Sequence, residues 1–477
     1  MTELTSTDSE ALPLFVDLDG TLIKTDLMFE SVCVLLKRNP LNLILMVIWL
    51  LKGKATLKAR LAERVDLSLS GWPFNEEFLD FLNGEKRNGR QLLLISAANE
   101  RALQKFAEPL QLFETCVGSD EQINLKATAK RQRIEEITRG KPFSYAGNSK
   151  DDIPVWEAAA EVIRVNCSSS LARDLCDTKP SRDFDPPGSR VRYLWQAMRP
   201  HQWAKNGLLF IPLTLAQQIT DAHRLLHTVI GFVCFCLVAS SVYLSNDLLD
   251  LESDRLHSTK KTRPLAAGTL PIQTAMVAAI VLLLAAFALA HLQTKEFVII
   301  ILGYWMLAVL YSVLLKRLFL LDLVTLASLY SLRIEAGAQA AQVIASFWLL
   351  GFTMTLFFGL AALKRVVELS KSTHAAALPG RAYTRGDLTA LTAQGLFACA
   401  CSVLILIFYI YADETRALYR FPGLLWLIAG LLGGILLRAW WLARKGALSE
   451  DPVLLAVSDR PSQVDTALMF VVLWFAI

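Results

Sequence analysis

Charged residues are scarce in this chain. They make up 19% of the 477 residues, whereas 54% are hydrophobic, and the formal net charge is only +4. Binding of nucleic acid through its phosphates requires a strongly basic surface, so this balance gives no indication of a nucleic-acid partner. The mean hydropathy of +0.40 instead indicates that part of the chain lies in a membrane.

Cysteines with the spacing of a metal site are also lacking. In two pairs, Cys234/Cys236 and Cys399/Cys401, a single residue separates the cysteines inside an apolar segment. Residues at that spacing point to different faces of a helix, so we interpret them as small apolar residues in a reducing or membrane setting. The polar start MTELTSTDSEALP carries no signal peptide, which favours a first domain that stays in the cytoplasm.

Apolar residues are unevenly distributed between two parts of the chain. Residues 1–185 have the composition of a soluble domain, and the proline-rich stretch SRDFDPPGSR leads into a linker at 186–194. Residues 195–477 are dominated by apolar runs. We predict an α/β domain followed by an all-α membrane bundle with about nine transmembrane segments. These lie near 203–219, 226–246, 273–293, 297–315, 321–341, 345–363, 388–411, 422–442 and 464–477.

Basic residues are concentrated in the loops after the even-numbered segments. Cytoplasmic loops of membrane proteins carry an excess of lysine and arginine, so this pattern predicts an integral protein of a bacterial inner membrane with these loops on the cytoplasmic side. The first domain is expected on the same side. The basic residues concerned are Lys260, Lys261, Arg263, Lys316, Arg317, Lys364, Arg365, Lys371, Arg381, Arg385, Arg444, Lys445 and Arg460.

Polar motifs follow the predicted strands of the first domain. They stand in LPLFVDLDGTLIKTD, GRQLLLISAAN, INLKATAKRQRI and FSYAGNSKDDIPVW. The carboxyl ends of strands are where α/β folds bind ligands. A phosphate-cleaving site needs two carboxylates, a hydroxyl, an ammonium group and further oxygens for Mg²⁺. The candidates in these motifs are Asp17, Asp19, Ser96, Lys126, Asn148 and Asp152.

These four motifs, in this order, resemble the haloacid dehalogenase (HAD) phosphatase family over about residues 12–175. The resemblance implies a Rossmann-like fold with a helical cap, in which Asp17 forms an aspartyl-phosphate and Asp19 acts as acid and then as base. It also implies that Ser96 and Lys126 hold the phosphate. Asn148 is a departure, since the family usually has aspartate at this position. The Mg²⁺ ligands that the resemblance implies are Asp17, Asp19, Asn148 and Asp152.

An apolar insert, NPLNLILMVIWLLKGKATLKARLAERV, separates the first two motifs. Its apolar run of about a dozen residues is too short to span the ~30 Å of a bilayer core. Two interpretations stay open. Residues 41–51 form either a buried cap helix or a helix that lies on the membrane surface. In the second case the neighbouring cations are Lys52, Lys54, Lys58 and Arg60.

Several carboxylates stand directly after the second apolar segment, in SNDLLDLESDRLHSTKKTRPLAAG (245–268). Carboxylates at the edge of a bilayer are costly unless cations lie among them. If the helix continues, four side chains share an arc of about 100° over a rise of about 12 Å, whereas Glu252 points the other way. Such a stripe fits divalent ions with a diphosphate, and Lys261 and Arg263 fit as phosphate partners. The four residues of the stripe are Asn246, Asp247, Asp250 and Asp254.

This stretch resembles the NDxxDxxxD and Lys-x-Arg-Pro signature of the UbiA-type intramembrane prenyltransferases. The resemblance covers about residues 193–477, and RPHQWAKN (199–206) and YSVLLKRLFLLD (311–322) fit it too. It implies that Lys205 binds phosphate and that all four residues of the stripe are catalytic, since the family withdraws a Mg²⁺-bound diphosphate. The metal ligands that it implies are Asn246, Asp250 and Asp254.

The second acidic motif of the aromatic prenyltransferases, DxxxD, is missing. Its place after the sixth segment is taken by ALKRVVELSKS, in which Lys364, Arg365, Glu368 and Lys371 share one helical face. This face is either ordinary flanking charge or a second phosphate pocket, with Lys364 and Arg365 as phosphate ligands. Together with SLRIEAGA and EDPVLLAVSDRPS, the pattern is similar to the branch that makes polyprenyl-phosphate-linked phosphoribose.

That branch implies a Mg²⁺-dependent transfer of phosphoribose from phosphoribosyl diphosphate to a polyprenyl phosphate. The first domain would then remove the 5-phosphate of the product. Two alternatives stay open: an aromatic, 4-hydroxybenzoate-type polyprenyltransferase of quinone biosynthesis, and a non-enzymatic transporter or scaffold with a degenerate phosphatase. The expected partners are an isoprenoid lipid, either a polyprenyl phosphate or a prenyl diphosphate, and the lipid bilayer.

Overall fold

The chain forms two compact units in the computed structural model. The first comprises residues 1–199 and 243–280, and the second comprises residues 200–242 and 281–477. The units differ from the division at 185 and 195 that the sequence suggests, because the segment 243–280 packs with the first unit. The structure describes residues 11–66, 71–120, 124–167, 171, 181–184, 188–371, 381–448 and 459–476.

A parallel sheet of six strands forms the centre of the first unit. Its order is β3-β2-β1-β4-β5-β6, and each neighbouring pair is parallel. A parallel sheet is covered on both faces, which explains continuous apolar runs such as LFV and LLLI. The strands are β1 Leu14–Val16, β2 Leu92–Asn99, β3 Thr115–Ser119, β4 Ser144–Gly147, β5 Glu161–Val165 and β6 Ser181–Phe184.

Alternate strand residues point to two separate cores. Leu14 and Val16 belong to one apolar cluster, whereas Phe15 lies between them in sequence and belongs to the other. The predicted α/β fold of this part is therefore confirmed. Helices of the first unit are α1 Leu27–Arg38, α2 Asn42–Leu51, α3 Lys54–Arg64, α4 Glu76–Arg87, α5 Glu100–Ala107, α6 Thr128–Thr138, α7 Ile153–Ala158 and α8 Arg190–Met198.

The insert between β1 and β2 folds as helices α1, α2 and α3, which enclose a small apolar cluster of their own. Asp26 begins α1 by accepting hydrogen bonds from the backbone N–H groups of Met28 and Phe29. Only Met46 and Trp49 of α2 are buried, so the interpretation of this segment as a buried cap helix does not hold for most of its side chains.

The described residues that follow α8 form mainly helices. One long helix, α10, ends at Leu249 and contributes residues to both units. The helices are α9 Phe210–Leu215, α10 Ala222–Leu249, α11 Leu251–Leu256, α12 Ile272–Ala290, α13 Lys295–Val313, α14 Leu321–Ala341, α15 Phe347–Lys371, α16 Leu388–Tyr411, α17 Asp413–Leu418, α18 Leu425–Arg444 and α19 Arg460–Ala476.

Six helices in the described part of the chain are long and apolar enough to cross a membrane, rather than the nine that the sequence predicts. Residues 200–209 form a 3₁₀ segment followed by the six-residue α9, and α19 has only 17 residues. Helix α14 is long enough to cross a membrane, but it carries three charged residues, Asp322, Arg333 and Glu335. The six spans are Ala222–Leu249, Ile272–Ala290, Lys295–Val313, Phe347–Lys371, Arg385–Tyr411 and Pro422–Arg444.

Candidate active sites

The first site lies at the carboxyl end of β1. Asp17 directly follows this strand and is buried, and Asp19 stands two residues further along. Gly20 has a φ of +79°, and a Cβ at this position would lie 2.0 Å from the Asn148 side-chain nitrogen. Glycine is therefore required here both by the backbone conformation and by the close approach of Asn148.

A buried lysine joins two of the carboxylates of this site. The Lys130 Nζ atom lies 2.9 Å from Asp17 Oδ1 and 3.2 Å from Asp152 Oδ1. It also donates to Tyr145 Oη, which in turn donates to Asp152 Oδ1 at 2.6 Å. Burial raises the pKa of Asp17 to about 6, although the charge of Lys130 opposes this shift. The nucleophile suggested by the sequence is thus held by an ammonium group.

The structure brings Lys130, rather than Lys126, to Asp17. Lys126 lines the same cavity, but its side chain is mostly exposed and pairs with Asp151 at 3.0 Å. A signal in the sequence distinguishes the two lysines. Lys130 precedes the fully buried Ile134 by four residues, so both lie on the inward face of α6.

Both carboxylate oxygens of Asp152 accept hydrogen bonds from protein donors. Oδ1 receives Lys130 and Tyr145, while Oδ2 receives the backbone N–H groups of Asn148 and Ser149 and the Ser149 hydroxyl. A direct metal contact at Asp152 would have to displace one of these donors. In this arrangement Asp152 positions Lys130 rather than presenting a free ligand.

Asp19 has the properties of a proton donor. Its Oδ1 atom accepts a hydrogen bond from the Leu27 backbone N–H at 2.8 Å. Burial, followed by the charge of Asp26, raises the pKa of Asp19 well above the usual range of a carboxyl group. A raised pKa favours the protonated form of the carboxyl group, which is the form that a general acid requires.

These residues open into one cavity of about 1090 Å³. The buried Ser96 hydroxyl lines it, and so does Lys58 of α3, whose Nζ donates to the Ala97 carbonyl at 2.6 Å. The sequence suggested Ser96 as a site residue but assigned Lys58 only to the basic flank of the insert. Residues 268, 269 and 271–274, which lead into α12, also line this cavity.

The donor set of the cavity fits a magnesium ion. Within the described ranges, no three His, Cys, Asp or Glu side chains converge closely enough to form a complete metal cage. Mg²⁺ does not need one, since it is bound through one or two carboxylates, waters and substrate phosphates. Asp17, the Asp19 backbone and Asn148 supply oxygens at the same cavity.

The second candidate site is the carboxylate stripe. Helix α10 ends at Leu249 and α11 begins at Leu251, so Asp250 lies at a bend instead of within a continuous helix. The i to i−4 hydrogen bonds of Asp250 and Asp254 persist across the bend. The stripe therefore keeps its order along the chain, although the helix that carries it is broken.

Two arginines pair with the two buried aspartates of the stripe. Arg263 Nη1 lies 3.2 Å from Asp247 Oδ1 and 2.5 Å from Asp254 Oδ2, which brings these carboxylates to one side. Arg199 pairs with Asp247 at 2.5 Å. The cations that a carboxylate stripe at a bilayer edge requires thus come from the Lys-x-Arg-Pro and RPHQWAKN motifs.

The remaining residues proposed for this site differ in exposure. Asn246 and Asp250 are half-buried, whereas Glu252 and Lys261 are exposed. Asp250 lies 3.8 Å from Lys37, which is too long for a strong pair. Lys205 is half-buried in the 3₁₀ segment of the second unit. Asn246, Asp250 and Asp254 carry the oxygen ligands that a Mg²⁺ ion sharing a diphosphate prefers.

A buried ion pair connects the α/β fold to the stripe. The Arg255 Nη2 atom lies 2.5 Å from Glu30 Oε1, and both side chains are about 5% exposed. Thr25 donates to the same carboxylate, and the Arg255 guanidinium lies over the Trp72 ring. Arg255 directly follows Asp254, so helix α1 reaches the stripe through this pair.

The face of α15 that was interpreted as a phosphate pocket is internally neutralised. Arg365 is 1% exposed and bonds Asp322 at 2.5 Å and Glu368 at 2.6 Å. Arg381 lies 3.6 Å from Asp322, so two arginines face two carboxylates. The assignment of Arg365 as a phosphate ligand is therefore not supported. Lys364 is half-buried and remains a candidate.

Two further motifs of the membrane part contact each other. Arg333, in SLRIEAGA, donates to Asn206 Oδ1 at 2.9 Å, and Asn206 ends RPHQWAKN. Arg333 also donates to Tyr304 Oη at 2.7 Å. Both Arg333 and Asn206 are buried, so these motifs hold the helices together inside the second unit. Most of EDPVLLAVSDRPS, up to residue 458, lies outside the described residues.

Models of two protein families match this chain. The model described as the UbiA prenyltransferase family matches residues 208–458, and the model described as haloacid dehalogenase-like hydrolase matches residues 14–157. The first match covers the membrane helices and the carboxylate stripe, and the second covers the motifs around Asp17. The two resemblances in the sequence are thereby confirmed.

Similar proteins cover different shares of this chain. An uncharacterized protein of Sinorhizobium fredii is 33% identical over 94% of this chain and 88% of its own length. The decaprenyl-phosphate phosphoribosyltransferase of Mycobacterium tuberculosis is 29% identical over 58% of this chain and 92% of its own length. A solved UbiA homolog from Archaeoglobus fulgidus, bound to GPP and Mg²⁺, covers 60% of this chain and all of its own length, with 17% identity and a TM-score of 0.48.

The two lysines near Asp17 should differ in their contribution to stability. Lys130→Met leaves two buried carboxylates without a cation and should lower the free energy of unfolding by about 3–5 kcal/mol. Lys126→Met removes an exposed pair and should cost about 0–1 kcal/mol. Thermal unfolding of the two purified variants measures the difference. Equal shifts in Tm would contradict the buried bridge.

Proposed function

Because this chain belongs to the UbiA prenyltransferase family and carries a haloacid dehalogenase-like domain, we propose that it makes a lipid-linked ribose in two steps. The membrane part transfers phosphoribose from phosphoribosyl diphosphate to a polyprenyl phosphate. The first domain then removes the 5-phosphate of the lipid-linked product. The similarity to a decaprenyl-phosphate phosphoribosyltransferase supports the first step.

One observation carries the proposal. The carboxylate stripe and the Asp17 site lie in the same compact unit, and the cavity of the Asp17 site is also lined by residues that follow the stripe. In this proposal the transferase makes a product that retains a phosphate monoester. The phosphatase then cleaves this ester. Tethering them raises the effective concentration of one for the product of the other.

The transfer step requires little acid–base chemistry from the protein. The phosphate oxygen of the acceptor is already anionic, so it attacks C1 of the ribose without a general base, and the C1–O bond to diphosphate breaks. Arg199 and Arg263 are positioned on the stripe to stabilise the negative charge of the diphosphate. Mg²⁺, when bound by Asn246, Asp250 and Asp254, supplies further charge stabilisation to this leaving group.

The dephosphorylation step uses the buried carboxylates. Asp17 attacks the phosphorus atom, while Asp19 donates a proton to the leaving ribose oxygen. Water, activated by the same Asp19 in its ionised form, then hydrolyses the aspartyl-phosphate. Ser96, Lys58 and Lys130 lie at the same cavity and fit the phosphoryl oxygens and the nucleophile. The sides of the membrane remain a prediction, with both sites in the cytoplasm.

The ion pairs on the face of α15 bear on which donor substrate the transferase uses. In the second unit, Asp322 and Glu368 are occupied by Arg365 and Arg381, so these carboxylates do not form a second open metal site. This favours the phosphoribosyl reaction over the transfer of a prenyl group to an aromatic acid.

A donor assay tests the proposal. Membranes that contain the protein receive labelled phosphoribosyl diphosphate and a polyprenyl phosphate, and in parallel a labelled prenyl diphosphate and 4-hydroxybenzoate. We expect label in the lipid phase only in the first assay. In the Asp17→Asn variant the labelled lipid should retain its phosphate, because a carboxamide cannot attack phosphorus.

The opposite outcomes decide between the alternatives. Label in the second assay alone would establish the aromatic prenyltransferase, and label in neither would favour a non-enzymatic role. Unchanged release of phosphate in Asp17→Asn would refute the assignment of the first domain.

Removal of a negative charge should have different effects in the stripe and at its exposed neighbour Glu252. Asp250→Asn removes a metal carboxylate and should lower transfer by orders of magnitude. Glu252→Gln, a matched change on an exposed neighbour, should be nearly silent. Transfer is measured as label in the lipid phase. Comparable losses in both variants would contradict a one-sided metal site.

The pH profile of phosphate release should report Asp17 and Asp19. The rate should fall below about pH 6, as Asp17 becomes protonated. It should also fall at high pH, where Asp19 loses its proton. Asp26→Asn removes a negative charge that raises the pKa of Asp19, so the alkaline limb should move to lower pH. An alkaline limb that stays fixed in Asp26→Asn would exclude Asp19 as the acid.

A further inference from the structure

One helix of the first unit carries an exposed apolar surface. Among the described residues from 11 to 184, every large apolar side chain that is well exposed lies at positions 41–51. The fraction exposed reaches 84% at Leu51. Monomeric soluble proteins rarely expose contiguous apolar patches of this kind, so the surface marks an interaction site. These side chains are Leu41, Leu43, Ile44, Leu45, Val47, Ile48, Leu50 and Leu51.

The exposed surface belongs to α2, whose inner face is already packed. Met46 and Trp49 of α2 contact α1 and α3 within the apolar cluster of the insert. The sequence from Leu43 to Leu51 contains no polar residue. Helix α2 is about 15 Å long, half of what a bilayer crossing requires. It therefore fits a position along an apolar surface and not across a membrane.

A membrane-spanning helix lies beside this cluster. Met276 of α12 packs against the cluster that contains Met46 and Trp49. Met276 stands four residues after the start of α12, or about 6 Å along its axis. Val277 and Ile280 of the same helix are exposed, as lipid-facing residues are. The cluster beneath α2 thus contacts a helix that is long and apolar enough to cross a membrane.

The charges around α2 are those of a membrane-surface helix. Between residues 37 and 64 a single acidic residue, Glu63, accompanies seven lysines and arginines. Lys52 and Lys54, which directly follow α2, are exposed. A short apolar helix with basic flanks is the arrangement that binds the interface of membranes containing anionic lipids.

We propose that α2 inserts its outer face into the bilayer interface and thereby sets the mouth of the Asp17 cavity at the membrane surface. Leu50 of α2 is both exposed and part of the cavity wall, and Lys54, Leu57 and Lys58 continue this wall. A lipid-linked phosphate can then reach Asp17 while its hydrocarbon chain stays in the bilayer. This role in substrate entry rests on the proposed phosphatase activity, whereas the docking of α2 does not.

Photo-cross-linking of the full-length protein tests the docking. The protein is reconstituted in vesicles of phosphatidylcholine and phosphatidylglycerol that contain a phospholipid with a diazirine in its acyl chain. After irradiation, peptides that contain residues 41–51 should carry lipid adducts at a level comparable with peptides of α12. Peptides of α4 serve as the control. Adducts at 41–51 no more frequent than on α4, or cross-links between two chains at these residues, would overturn the proposal.

Substitution of the exposed face tests its role in substrate entry. The triple variant Ile44→Gln, Val47→Gln and Leu51→Gln should lower kcat/KM for a bilayer-anchored ribose 5-phosphate at least tenfold. Hydrolysis of the soluble p-nitrophenyl phosphate should change less than twofold. The matched triple variant Ile44→Leu, Val47→Ile and Leu51→Met keeps the surface apolar and should retain both activities.

The outcomes separate the two proposals. Equal losses on the anchored and the soluble substrate in the Gln variant would overturn the role in substrate entry. Lipid adducts at 41–51 in a protein that hydrolyses neither substrate would support the docking of α2 and refute the proposed phosphatase.

Discussion

Carboxylates removed from water must be matched by cations, and this constraint organises the structure. Glu30 and Arg255 are both nearly inaccessible to solvent, as are Asp322 and Arg365. Desolvation makes such a pair roughly neutral for stability, but loss of one partner leaves a buried charge at a cost of about 3–5 kcal/mol. The pairs therefore contribute less to the stability of the fold than to fixing which segments meet.

The arginines of the sequence motifs fall into two groups, according to whether their partners are fixed protein carboxylates. Arg365 bonds the carboxylates of Asp322 and Glu368 and the Tyr311 hydroxyl, all of them protein groups, so its charge serves the packing of α15 against its neighbours. Arg263 is 30% exposed in its side chain while it bridges Asp247 and Asp254, so it can exchange a protein partner for a phosphate. Exposure of the cation, and not its presence in a motif, distinguishes a structural arginine from a candidate ligand.

The sequence predicted the positions of the strand-end motifs well, because parallel strands place their carboxyl ends at one edge and the apolar runs LFV and LLLI mark the strands. The motif suggested Lys126, whereas the four-residue spacing between Lys130 and the apolar Ile134 places Lys130 on the inward face of α6, toward Asp17. Among the described residues, six of the nine predicted spans are helices of sufficient length and apolar composition, and α14 is not one of them. Hydropathy registers α14 as an apolar segment but gives no information on the partners that hold Asp322 and Arg333 inside it.

Helix α1 connects the two candidate sites of the first unit by a short series of contacts. Its first N–H group is held by Asp19, and its residue Glu30 holds Arg255, the neighbour of Asp254 in the stripe. One end of this path is Asp19, which gives up a proton in the proposed dephosphorylation, and the other end adjoins Asp254, a proposed metal ligand. Movement of α1 would strain a buried ion pair, which is costly, so the two sites are expected to keep a fixed geometry within this unit. Because the two sites keep a fixed geometry, the product itself has to move from one site to the other. A lipid-linked sugar phosphate can do so by diffusion in the bilayer.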